Sequence, residues 1–387
     1  MKHLEDKRKY VLSGMLVSGL ALGGQCYADA PAARWYDSTT IGGYVQGSYV
    51  GNLSKDTPNK NQLRVYDQDQ GFNLNQAQLH IYKPVADDSA GFSVKLLTGK
   101  DAGFIHSAGL GTESTSFDVE EANLTYNVPK VKNLSLTVGK FVTACGVEVI
   151  DSPSNLMIEP GLLFFYGMAF THTGAKFGYT VNDKLSLSAG VVNGWDNVTD
   201  GNSGKTIIWQ ASVTPPVKGL TLAFQGSYGP ELFTGASSTT SLPSGNPNIS
   251  KRTHTDLVLG YAGIDKLTLN AEYLWGQDSN TGGVTDSATT PWSGAGLWAG
   301  YAVNDYLNPG VRFEVFKDEN SNGARLGLGR GQTAKTLTLV NKYVINKNTF
   351  MRLEYRHDWS TEAAFTRSDG SFVRNQNTLS ADWVVTF

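Results

Sequence analysis

Beyond its first 28 residues this chain has no apolar run of about 18 residues, the least that a membrane-spanning helix needs. A mean hydropathy of −0.25 agrees, and a helical membrane protein is excluded. Charge is sparse, at 17% of residues, where soluble domains carry about 25%. Cysteine is nearly absent: of Cys26 and Cys145, the first lies in an N-terminal leader, and a lone thiol cannot close an intrachain disulfide. There is no G-x-S-x-G elbow, no H-E-x-x-H pair and no Gly-rich phosphate loop, and the six His are scattered. Nothing therefore points to a catalytic centre, a resident metal or a cofactor. The run Asp318-Glu319-Asn320-Ser321-Asn322-Gly323 opens like a calcium loop, but its twelfth position is Gly329. The bidentate carboxylate that completes such a loop is missing, so a polar loop is expected.

What is present is rhythm. The leader has a basic start (Lys2, Lys7, Arg8, Lys9), an apolar stretch over 11–22 and Ala28 before Asp29. It reads as a Sec signal peptide, residues 1–28, leaving 29–387 as one domain. Taking the leader's four basic and two acidic residues from 32 and 35 leaves 28 and 33, a net charge of −5. That argues against nucleic acid as a partner. Segments of about ten residues with period-two hydrophobicity recur along the rest, which is the pattern of a transmembrane barrel. They are expected at 40–53, 72–83, 90–99, 117–128, 134–142, 168–181, 185–195 and 205–215. The others fall at 220–229, 253–262, 267–276, 292–303, 307–317, 335–345, 349–359 and 376–387. The connections alternate in length. Short turns such as Asn182-Asp183-Lys184, Val217-Lys218-Gly219 and Asn346-Lys347-Asn348 alternate with long polar ones at 230–252, 278–291 and 318–331. Asn and Asp suit tight turns because their side chains bond the local backbone. Long loops at one end and short turns at the other predict an all-β fold: a transmembrane, antiparallel, up-and-down barrel of about sixteen strands.

Parity assigns the faces. Met351, Leu353, Tyr355 and Trp359 are expected outside, and Arg352, Glu354, Arg356 and Asp358 inside. Likewise Val311, Phe313 and Val315 point out, with Arg312 and Glu314 in; Leu269, Ala271, Tyr273 and Trp275 point out, with Asn270 and Glu272 in. Lys95, Glu121, His172, Lys176, Asp256, Lys342 and Asp382 also fall on inward positions. A Lys or Arg facing lipid at mid-membrane costs about 2–4 kcal/mol, so this consistency supports the barrel. A lumen of about sixteen strands is too wide for side chains to fill and should hold water. The last strand carries Leu379, Ala381, Trp383, Val385 and Phe387 on one face. Trp383, Val385 and Phe387 are the expected assembly signal.

The connection 143–167, TACGVEVIDSPSNLMIEPGLLFFYG, is too apolar for a water-exposed loop. It is expected to fold into the lumen, the alternative being a cap at the mouth or an oligomer contact. Folded in, its Glu148, Asp151 and Glu159 would face Lys95, Lys176, Arg312, Arg352 and Arg356 across a constriction, and such a transverse field tunes ion selectivity. The inward aromatics Tyr44, Phe170 and Trp298 are read as fillers beneath it rather than as a sugar slide.

Residues 139–155, GKFVTACGVEVIDSPSN, and 170–174, FTHTG, resemble the OmpL-like β-barrel porin family, and the resemblance extends over most of the mature chain. It implies an outer-membrane porin without a defined solute. Where relatives carry an aromatic-Ser-Arg stretch after the Asn, this chain has Leu156-Met157-Ile158-Glu159-Pro160. The lost positive charge and the added Glu159 point to a weak cation preference. The function expected is passive diffusion of small hydrophilic solutes. Alternatives are a substrate-selective channel, a plugged structural barrel and, lowest, a barrel enzyme using His172. The implied partners are outer-membrane lipid and lipopolysaccharide, the barrel-assembly machinery, small hydrophilic solutes and, as in porins generally, two further copies in a homotrimer.

Overall fold

A computed structural model describes residues 38–54, 60–86, 90–111, 116–231, 250–279, 289–319, 325–326 and 330–387. The leader at 1–28, most of the calcium-like run at 318–323 and the middles of the connections 230–252 and 278–291 lie outside the described residues.

The chain forms β1 (Thr40–Asn52), β2 (Gly71–Lys83), β3 (Gly91–Thr98), β4 (Phe117–Asn127), β5 (Leu134–Val142), β6 (Thr171–Asn182), β7 (Leu185–Val192) and β8 (Thr206–Val213). It continues with β9 (Leu220–Pro230), β10 (Lys251–Tyr261), β11 (Leu267–Ser279), β12 (Thr289–Tyr301), β13 (Leu307–Asp318), β14 (Gln332–Asn346) and β15 (Thr349–Ser360). A small hairpin, β16 (Phe365–Thr366) and β17 (Phe372–Val373), precedes β18 (Asn375–Thr386). The sixteen long strands make one closed barrel in chain order, with β18 paired back onto β1, so no edge is left to pair with another chain. Count, topology and period agree with expectation, and strand ends agree within three residues.

Closure reaches the last residue: the Gly43 N–H donates to the Phe387 carbonyl at 3.1 Å, and the Phe387 N–H to that of Gly43 at 3.0 Å. The short turns work as their sequences suggest. Asn182 Oδ1 accepts from the Lys184 N–H at 2.9 Å, and Asn346 Oδ1 from the Asn348 N–H at 3.0 Å. Gly219 sits at φ +77°, where a Cβ would run into the Gly263 backbone, so only glycine fits there.

The faces also separate as expected. Arg352, Glu354, Arg356 and Asp358 are each 1% exposed, while Leu353 between them is 42% exposed. One register shift alters the inward set. Between Lys95 and Leu96 the β3–β4 pairing slips by one residue, and this bulge turns Glu120 as well as Glu121 towards Lys95. Among the described residues no helix is long and apolar enough to cross a membrane. The main apolar core lies inside the barrel. Leu162, Leu163, Phe164, Phe165 and Tyr166 of the 143–167 connection pack on Leu274, Trp292 and Phe316 of the wall, with Leu63, Val65 and Tyr66 from the first long connection.

Candidate channel constriction

The connection between β5 and β6 folds into the lumen. It contains a 3-10 turn, Ser152–Ser154, opened by the fixed φ of Pro153, and a π-helical turn, Leu163–Gly167. Its position follows from a repeated device in which wall side chains bond loop main-chain atoms. Wall carboxylates accept loop N–H groups: Asp256 from Gly146 at 2.6 Å, Glu272 from Val147 at 2.8 Å, Glu354 from Ile158 at 2.6 Å. Glu314 takes two, from Leu162 and Leu163, both at 3.1 Å. Wall arginines donate to loop carbonyls. Arg352 reaches those of Ser152, Asn155 and Met157 at 3.2, 2.9 and 2.7 Å, Arg312 that of Glu159 at 2.8 Å, and Arg356 that of Pro160 at 3.2 Å. A Cβ at Gly161 would strike the Glu314 carboxylate, which the Leu162 and Leu163 N–H groups hold.

The predicted site residues fall into two groups. Glu148, Glu159, Arg312, Arg352 and Arg356 are all buried. Glu148 pairs with Arg312 at 2.5 Å and Arg352 with Asp382 at 2.6 Å. Arg312 also sits 3.2 Å from Glu314. They fasten the loop to the wall. Lys95, Asp151 and Lys176 form the second group, and they retain partial exposure. Lys95 Nζ lies 2.6 Å from Asp151, 3.4 Å from Glu120 and 3.9 Å from Glu121. Asp151 also accepts from Gln78. Lys176 lies on β6, its Nζ 4.2 Å from the centre of the Phe141 ring, and feels the charge of Glu121.

Of the other inward candidates, Asp256 and Glu272 face the loop root with no Lys or Arg in ion-pair distance among the described residues. Lys342 lies over the Phe350 ring at 3.8 Å. His172 is buried, with Nδ1 3.1 Å from the Gly194 carbonyl. Trp298 lies under the loop and reaches Glu148 at 3.4 Å. Tyr44 hydrogen-bonds Gln76 at 2.6 Å, and Phe170 packs on Phe164 and Phe165. The loop's polar anchors run to β2, β3, β10–β13 and β15. The facing wall on β7 and β8 offers Ser186, Ser188, Gln210 and Ser212, all half-buried and uncharged.

Sequence reading missed a second inserted segment, 60–69. Its Arg64 bonds Asp358 through Nε and Nη2 at 2.9 and 2.6 Å and Asp67 at 2.8 Å. The closely spaced Leu63, Val65 and Tyr66 between β1 and β2 were the available signal. The long-loop end carries further buried carboxylates. Burial pushes Asp101 and Asp196 up to about 7, against nearby Lys100 for the first and two backbone N–H donors for the second. Of the calcium-like run, Asp318 accepts the N–H groups of Arg325 and Leu326 at 3.0 and 2.9 Å.

A closed sixteen-strand barrel with its fifth connection strapped across the lumen is the architecture of a porin. The family described as "Putative beta-barrel porin-2, OmpL-like" matches residues 38–387. The chain belongs to that family. No curated protein matches the sequence, but solved structures match the fold of this porin. Salmonella typhi OmpF, in complex with daunomycin, superposes with a TM-score of 0.61 at 16% identity, over 90% of this chain and 97% of that one. The trimer form of Vibrio cholerae OmpT gives 0.59 at 12% identity, over 90% and 99%. The outer-membrane channel DcaP of Acinetobacter baumannii gives 0.57 at 13% identity, over 90% and 97%. By family and by fold the protein is an outer-membrane porin.

Proposed function

We propose that the porin passes small hydrophilic solutes and ions by passive diffusion, without chemistry of its own. The observation that carries this reading is that the loop's anchors on β2, β3, β10–β13 and β15 leave the small polar side chains of β7 and β8 unused. A narrow water path along that uncharged wall follows. In this reading residues 1–28 direct export and are removed, the long-loop end faces outwards, and the barrels associate as trimers, as the V. cholerae relative in fold does. The partly exposed charges bordering this path are Asp151 with Lys95 and, on β6 beside β7, Lys176. Here three carboxylates, Asp151, Glu120 and Glu121, stand against two lysines, Lys95 and Lys176, and the surplus of one favours cations. Reconstitution of the refolded mature chain in a planar bilayer under a salt gradient tests the reading. Steady ohmic steps with a cation-sided reversal potential are expected, and silence at all voltages would overturn it.

A second reading, a substrate-selective channel, is favoured by the two inserted segments, whose apolar side chains share one core cluster inside the barrel. It predicts a current that saturates with, or is blocked by, one class of solute.

A further inference from the structure

The first inserted segment has an unusual seat. The N–H groups of three consecutive residues, Val65, Tyr66 and Asp67, converge on the carboxylate of Glu159 at 3.2, 3.1 and 3.1 Å, using both of its oxygens. Consecutive main-chain donors turned to one side form a concave anion site, helped here by the left-handed Leu63 at φ +51°. The occupant is the chain's own side chain. Glu159 is in turn fixed from behind, since its carbonyl accepts from Arg312 at 2.8 Å and the next carbonyl from Arg356 at 3.2 Å. On its other flank the segment is tied to the wall by Arg64 with Asp358, and by Gln62, whose N–H donates to Gln376 at 3.1 Å. Tyr66 meets Phe165 edge-on at 5.0 Å between ring centres.

We propose that segment 60–69 is a second closing element of the channel and that Glu159 is its positioning residue: the carboxylate fills an anion site on the segment and so fixes how far it closes the lumen. The inference rests on the porin reading for its electrical consequence, but not for its structural one. Without the carboxylate, three buried N–H groups lose their acceptor, and each such loss is unfavourable enough to release a segment that has an alternative in water. The site would then accept a small free carboxylate in the same place.

The test uses the refolded mature chain with Glu159→Ala. Expected are a larger or noisier unitary current and new trypsin cleavage after Arg64, which is 2% exposed in the native protein. Added formate should return both readouts towards native, while chloride at equal ionic strength should not. Arg64→Met, which cuts the other anchor, should also enlarge the current, and the double variant should add little to either single one. It serves alone if Glu159→Ala does not fold. A folded Glu159→Ala protein with native current and no cleavage would overturn the proposal, as would cleavage that formate leaves unchanged. If the native protein never conducts, the porin reading fails, and the proteolysis arm still decides whether Glu159 seats the segment.

Discussion

Arg352 shows how much a single wall residue holds. Its guanidinium spans Asp382 on the neighbouring strand and three loop carbonyls. Replacing it by Ala strands a buried carboxylate and those acceptors together, and breaking a buried pair in this way costs about 3–5 kcal/mol. The expected outcome is a barrel that loses its heat-resistant gel mobility at a markedly lower temperature, measured by a melting series. Asp151 belongs to the other class, a charge beside the water path. Asp151→Asn leaves Lys95 its two glutamates, so it should destabilise far less than Arg352→Ala, and it should shift the reversal potential in a salt gradient towards anions. A native potential would remove Asp151 from the constriction. That Arg312, Arg352 and Arg356 point inward was legible from parity alone. Glu148 as a partner of Arg312 was expected too, but the main-chain partners were not, because a backbone carbonyl carries no sequence signature. Glu120 was missed for a different reason: a bulge breaks the period on which the parity argument rests.

At the scale of elements, strands were readable and inserted loops only partly so. Strands announce themselves because lipid on one side and lumen on the other impose a period of two. The 143–167 loop was visible through its apolar excess. Segment 60–69 was not, because its apolar side chains are few and its anchors, Arg64 and Gln62, look like ordinary loop residues. The loops at the long-loop end also carry a pH dependence. Asp101 and Asp196 have folded values raised to about 7 by burial, so between the ordinary carboxylate range and about 7 the folded state binds protons that the unfolded loop does not. Their stabilisation is complete below that range and is lost as pH rises through about 7. Hydrogen exchange of residues 101–108 and 193–198 should therefore be slower at pH 5 than at pH 8, after correction for intrinsic rates. Equal protection at both would contradict the burial of these groups.

The molecule as a whole is closed by its last strand. Trp383 and Phe387 are 47% and 67% exposed on the outer face, while Val384 behind them is fully buried. Removing Phe387 deletes the paired hydrogen bonds to Gly43 and one outward aromatic ring. The seam between β1 and β18 should then form slowly, and the folded yield in lipid should fall well before the stability of the finished barrel does. Refolding time courses followed by gel mobility would show this, and an unchanged yield would deny Phe387 its expected part in assembly. The fold class, strand number and seam were all open to sequence reading because they follow from one repeated constraint. How open the lumen is was not, since that depends on contacts between segments nearly 100 residues apart, such as Val65 with Glu159.

The wall grips the loop by its main chain. Gly146, Val147, Ile158, Leu162 and Leu163 offer N–H groups, and Ser152, Asn155, Met157 and Pro160 offer carbonyls, all of which survive a change of side chain. Ala144, Val149 and Ser154 lie on the loop's exposed edge. The strap is thus a cassette: its exposed positions are open to exchange for charged or aromatic groups, while its course across the barrel is set by main-chain atoms that every residue but proline possesses in full.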